Sequence, residues 1–289
     1  MAVSIGDCLR WLVGVVVVGL ACAQGGYAQP DSLGTADWGA PPAALWADAQ
    51  AVAAAPRAWA TSERSRLVGT VGVLAALAAT LDEPAYRHLS PRSGAGDGAW
   101  HGITDPLAIP GEWYDRQAAN RLALTTVGVM ATSGLVLRRP GLTRTAVRTA
   151  EAILYAELAN GLLKSVVNRA RPYVGAEPDA FAASPGAFDP AHERLAMPSG
   201  HAARVFAVAA VWAHAADRWY VSGPLYAGAA SVGLERVRSG DHWLTDVVVG
   251  GALGYFIGRV VADAPSPAPG TVQWVPLLEA GRVGMQVQF

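Results

Sequence analysis

Three short groups of basic residues, histidines and a serine interrupt otherwise apolar stretches of this chain. An unpaired charge is costly in such surroundings and calls for a partner, and an anion is the partner these side chains fit. The first group is Lys164 with Arg171-Pro172. On an α-helix their separation turns through about 700°, so the two side chains emerge within about 20° of each other, two turns apart. Pro172 is expected to stop the helix just after Arg171, freeing a planar guanidinium to hold phosphate oxygens in pairs. Arg169 beside them supports a plainer alternative, a solvated basic face.

The second group is Pro198-Ser199-Gly200-His201, directly before the apolar stretch Ala202–Ala216. A Ser-Gly step at a helix start offers free backbone N–H groups, a hydroxyl and the positive end of the helix dipole to an anion, and His201 can then protonate a leaving group. An ordinary serine N-cap with an incidental histidine is the alternative. The third group is Arg236, His242 and Asp246. His and Asp at i and i+4 share a helix face. An Asp that accepts from one ring nitrogen fixes the tautomer and leaves the other nitrogen free as a nucleophile. A surface His–Asp pair is the bland alternative, but the apolar run Val247–Gly258 that follows suggests a helix start dipping into a core. The other histidines carry less: His214 lies about 220° round its helix from His201, and His88, His101 and His192 fall in expected loops without metal-ligand spacing. The run Ser93–Gly98 is glycine-rich but lacks the Lys-Ser/Thr of a phosphate loop and reads as a connection.

Together the three groups resemble the signature of the type 2 phosphatidic acid phosphatase superfamily, which also contains bacterial non-specific acid phosphatases and vanadium haloperoxidases. The pattern Lys-x6-Arg-Pro, Pro-Ser-Gly-His, Ser-Arg-x5-His-x3-Asp is matched in order and spacing by Lys164, Arg171, Pro172, Pro198, Ser199, Gly200, His201, Arg236, His242 and Asp246. The resemblance spans roughly Arg64 to Ala262. It implies that His242 attacks phosphorus, Asp246 orients it and His201 protonates the leaving oxygen. Lys164, Arg171, Ser199, Gly200 and Arg236 would hold the phosphoryl oxygens, with no metal and no cofactor, although vanadate would bind as a phosphate mimic. Glu235 departs from the pattern, standing where the family has Ser before Arg236; it either pairs with Arg236 or points away. The implied substrate is a phosphate monoester or diphosphate, with a phosphorylated lipid favoured by the apolar helices and a small phosphate ester as the alternative. A vanadium-dependent haloperoxidase and a non-enzymatic envelope protein are the competing readings.

These groups need a scaffold. Apolar runs at Leu67–Leu81, Leu122–Leu137, Ile153–Leu163, Val205–Ala216, Val221–Leu234 and Val247–Gly258 predict an all-α bundle of about six helices. The chain is 52% hydrophobic and 16% charged, with a formal net charge of −1, which speaks against disorder and against a nucleic-acid partner. The longest of these six runs, Leu122–Leu137, has 16 residues, short of the roughly 17–25 of a spanning helix. Arg144, Arg148, Glu151 and Glu157 along one helix favour a water-exposed face and hence a soluble or peripherally membrane-attached protein.

Arg10 followed by the apolar run Trp11–Ala23 and Gly26-Tyr27-Ala28 reads as an export signal over residues 1–28, with periplasm or cell envelope as the destination and an inner-membrane anchor as the alternative. Both cysteines, Cys8 and Cys22, lie within it. An Ala/Pro-rich leader is expected over 29–62, the phosphatase-like helical domain over 63–262, and a linker with a terminal β-hairpin over 263–289.

Overall fold

The computed structural model describes residues 48–54, 61–94, 98–117, 119–181, 193–264, 273–279 and 282–288. The expected export signal lies outside them. Seven long helices form the domain among the described residues: α1 (Thr61–Leu89), α2 (Gly98–Arg116), α3 (Ala119–Val136), α4 (Pro140–Val167), α5 (Gly200–Ala216), α6 (Trp219–Arg238) and α7 (Leu244–Asp263). All six apolar runs lie on helices, Leu137 alone falling one residue past the end of α3, so the expectation of a mostly helical protein is met. His88 and His101, expected in loops, lie on α1 and α2, and His192 is outside the described residues.

The helix without a precursor in the apolar runs is α2, which carries Pro106 and Pro110 in its interior. Proline removes a backbone donor and normally interrupts a helix. Here Ser231 of α6 inserts its hydroxyl into the disturbed turn: it donates to the Leu107 carbonyl at 2.6 Å and accepts from Gly111 N at 3.0 Å. Tertiary contact thus replaces the broken ladder, and no local pattern announces it.

The centre of the bundle is α7, which packs most extensively on α5 and also touches α1, α4 and α6. Gly250, Gly254 and Gly258 repeat every fourth residue on one face of α7. A Cβ at these positions would overlap the carbonyl oxygens of Ser199, Ala203 and Ala207 on α5. Backbone-to-backbone approach therefore sets how close the start of α5 stands to the start of α7. Ser199 N donates to the Asp246 carbonyl at 2.9 Å across the same contact.

The charge pattern of α4 departs from expectation at two of the four charged positions expected to face water. Arg144 is exposed, but Arg148 and Glu151 are buried and paired at 3.0 Å, with Asp48 also on Arg148. The side facing outward instead shows Leu154, Leu158, Leu162 and Val166. Arg148 and Glu151 do not mark a watery face because each finds a partner inside the protein. One helix among the described residues, α7, is long and apolar enough to cross a membrane, and 44% of its most apolar window is buried within the protein. The structure supports the helical architecture and not the terminal hairpin as part of it. The backbone of Gln273–Glu279 and Arg282–Gln288 runs antiparallel, and its side chains lie outside the described residues.

Because α5 and α7 meet through glycine, Gly254→Ala is expected to cost about 1–3 kcal/mol of stability, the range of overpacking. Thermal or denaturant melting of the purified protein checks this; an unchanged midpoint would show that the helices separate without cost.

Candidate functional site

The three motif groups converge where the end of α4, the start of α5, the end of α6 and the start of α7 come together. Local chemistry sets each position. Helix α4 ends at Val167 because Asn168 adopts a left-handed conformation (φ 48°, ψ 49°) and its N–H returns to the Lys164 carbonyl at 3.0 Å, a common helix stop. Arg171 is therefore not on the helix, contrary to the shared-face expectation. It sits in extended backbone before the short 3-10 turn Pro172–Val174, with Nη1 on the Asp241 carbonyl at 3.2 Å. Lys164 and Arg171 still sense one another. Burial and the Arg171 charge lower the Lys164 pKa to about 8.

Ser199 caps α5, its hydroxyl accepting from Ala202 N at 3.5 Å. Gly200 opens the helix, and a Cβ there would press on Asn160 Nδ2 of α4 at 3.0 Å. His201 follows, with Nε2 3.7 Å from Asp115 Oδ1 and its ring edge-on to Tyr114. Burial, then the charges of His242, Arg204 and Lys164, push its pKa down to about 4.

His242 precedes α7 rather than riding on it: Trp243 is the N-cap and Asp246 the third helical residue. The pair meets because Asp246 folds back to accept from Trp243 N at 2.8 Å, the carboxylate half of a capping box. His242 is buried, and its Nδ1 lies 3.6 Å from Asp246 Oδ2, within ion-pair range but longer than a hydrogen bond. That Nδ1 has no hydrogen-bond partner. Burial holds the ring neutral, with a pKa of about 4; the Asp246 carboxylate raises it while Arg171 and Lys164 lower it further. A neutral imidazole aimed by a carboxylate has a free lone pair at neutral pH.

Arg236 is buried at the end of α6, ion-paired to Asp115 through Nη2 and to Asp241 through Nη1 at 3.1 Å, while its Nε has no partner. Glu235, the departure from the motif, points its carboxylate at Arg238, 3.2 Å away, which also reaches Asp105 and Glu112. Arg238 is thus the partner of Glu235, and Arg236 keeps its own.

Sequence reasoning missed five residues of this neighbourhood. Asp115 and Tyr114 lie on the unforeseen α2, and Asn160 sits one turn before Lys164. Arg169, read as support for a solvated basic face, is instead 3% exposed and bonded to Asp246 and Asp82. Asp82 closes the apolar run of α1. A lone carboxylate there could have signalled a buried partner.

Helix bundle and site together bring Lys164, Arg171, His201 and His242 close to one another between helix ends. Residues 145–267 match the family described as the PAP2 superfamily. This is the superfamily its motifs resemble, and it supports phosphatase, a hydrolase, as the class of activity. No curated protein and no solved structure matches the chain.

With Lys164 lowered to about 8, its ammonium is lost as pH rises through that value, and its hold on an anion goes with it. Inorganic phosphate, almost wholly the dianion above about pH 8, should bind progressively more weakly as pH rises beyond that value. Lys164→Arg, which keeps its charge, should remove that dependence. Calorimetric titration from pH 7 to 9.5 reads it; a flat wild-type profile would exclude Lys164 from the anion site.

Proposed function

We propose that this protein is a metal-independent phosphatase of the cell envelope that cleaves a phosphate monoester or diphosphate, its substrate being a phosphorylated lipid, through a phosphohistidine at His242. The observation that carries the proposal is the buried, neutral imidazole of His242 beside the Asp246 carboxylate, with the charges of Lys164 and Arg171 acting on it. The orphaned Nε of Arg236 is a buried donor that an oxyanion would satisfy.

In the first step a ring nitrogen of His242 gives its lone pair to phosphorus as the bond to the leaving oxygen breaks. Asp246 stabilises the positive charge that develops on the imidazole. Lys164, Arg171, Arg236 and the N–H groups at Ser199-Gly200 spread the charge of the equatorial oxygens, which is the main demand of phosphoryl transfer. His201 is neutral in the unloaded site, but a phosphate dianion raises its affinity for a proton. It then passes that proton to the leaving oxygen. In the second step His201 takes a proton from water, water attacks the phosphohistidine, and the P–N bond breaks to release phosphate and His242.

The lipid reading draws on the outward strip of Leu154, Leu158, Leu162 and Val166, which runs along α4 toward Lys164. Exposed apolar area of this kind marks contact with a membrane or partner. The envelope location draws on the export signal expected over residues 1–28. Vanadate is expected to occupy the site as a phosphate mimic and inhibit.

The test is phosphate release from p-nitrophenyl phosphate and from phosphatidate by the full chain and by His242→Ala. Loss of at least about a thousandfold in turnover is expected in the variant. Equal rates would overturn the nucleophile, and turnover of the small ester alone would overturn the lipid substrate.

A further inference from the structure

Asp82 of α1 lies outside the residues that match the family, yet it is completely buried against the first turn of α7. Its Oδ1 accepts from Thr245 N at 2.7 Å, and its Oδ2 from Thr245 Oγ1 at 2.6 Å and from Arg169 Nη2 at 2.7 Å. The other arm of the same guanidinium, Nη1, donates to Asp246 Oδ1 at 2.7 Å, while Nε donates to the Pro178 carbonyl at 2.9 Å. Phe181 and Trp243 flank the guanidinium at 5.3 and 5.5 Å. Every ionic member of this set is at most 3% exposed.

We propose that Asp82 and Arg169 are positioning residues for the nucleophile, acting through Asp246. The proposal rests on the reading of His242 as the phosphoryl acceptor, and it follows from geometry and a count of charges. Asp246 has Oδ1 committed to Arg169 and Oδ2 to Trp243 N, so its carboxylate plane is fixed and Oδ2 presents its remaining lone pair toward His242 Nδ1. If Asp246 were the sole counter-charge of Arg169, the pair would be neutral and would offer the imidazole little field. Asp82 supplies the second negative charge. The set Asp82, Arg169 and Asp246 then carries one net negative charge beside His242, facing the positive charges of Lys164 and Arg171 and the ring of His201. The charge that steadies a phosphorylated imidazole is thus set partly by a helix remote in sequence from the three motifs.

The test uses the full-length protein, with Asp82→Asn, Asp246→Asn and the double variant. Asp82→Asn is expected to lower kcat about tenfold or more with KM changed less than about twofold, and to cost almost nothing further in the Asp246→Asn background. An equal loss in both backgrounds would show that Asp82 only supports the fold and would overturn the proposal. Nitrogen-15 NMR of the imidazole, recorded without substrate, separates this from the function itself: the wild type should hold a single His242 tautomer protonated at Nδ1, and Asp82→Asn a mixture. An unchanged tautomer would overturn the positioning role even if activity fell. Phosphatase activity surviving in His242→Ala would overturn the proposed nucleophile and leave the NMR result standing. Should Asp82→Asn fail to fold, Arg169→Lys, which keeps the charge but not the two-armed reach, is expected to give the same non-additive loss and mixed tautomer; additivity would overturn the proposal equally.

Discussion

Arg169 lies between Asp82 and Asp246 in the middle of an apolar bundle, and the geometry of the candidate site depends on that three-way pairing. Removing one partner from such a buried set typically costs about 3–5 kcal/mol, because the remaining charge is left without solvent or counter-charge. The set therefore works as a joint. It fixes α1 to the first turn of α7, holds the segment after α4 against both, and leaves His242 at the junction. The backbone bond from Ser199 N to the Asp246 carbonyl extends the joint to α5, and with it to Gly200 and His201.

Helix ends supply the rest. The start of α5 brings a capping hydroxyl and a glycine, the start of α7 brings a capping carboxylate, and the end of α4 brings an ammonium four residues before a left-handed stop. Glycines on α7 let these ends approach more closely than larger residues would permit. Packing and electrostatics are thereby coupled, since the same contact that buries the histidines also lowers their proton affinity.

Much of this was legible in the sequence because the spacing of the motif residues survives translation into structure even where the local geometry does not. Lys164 and Arg171 reach one site, though through a terminated helix and an extended segment rather than one helical face. His242 and Asp246 meet, though across a helix cap rather than along a helix. What was not legible is tertiary. Pro106 and Pro110 disguise α2, whose broken turn is repaired by Ser231 from another helix, so Asp115 went unseen. Arg169 looks solvated in a sequence because its two carboxylates come from positions far away. Arg148 and Glu151 misled in the same way, their mutual pairing burying two charges expected to face water.

The central claim is that the buried imidazole at the junction of α6 and α7 carries the phosphoryl group. Rapid quenching into alkali during turnover of a phosphorus-32-labelled ester, followed by peptide mapping, tests it most directly. Alkali-stable, acid-labile label on His242 is the predicted result; label elsewhere, or none while phosphate is being released, would contradict it.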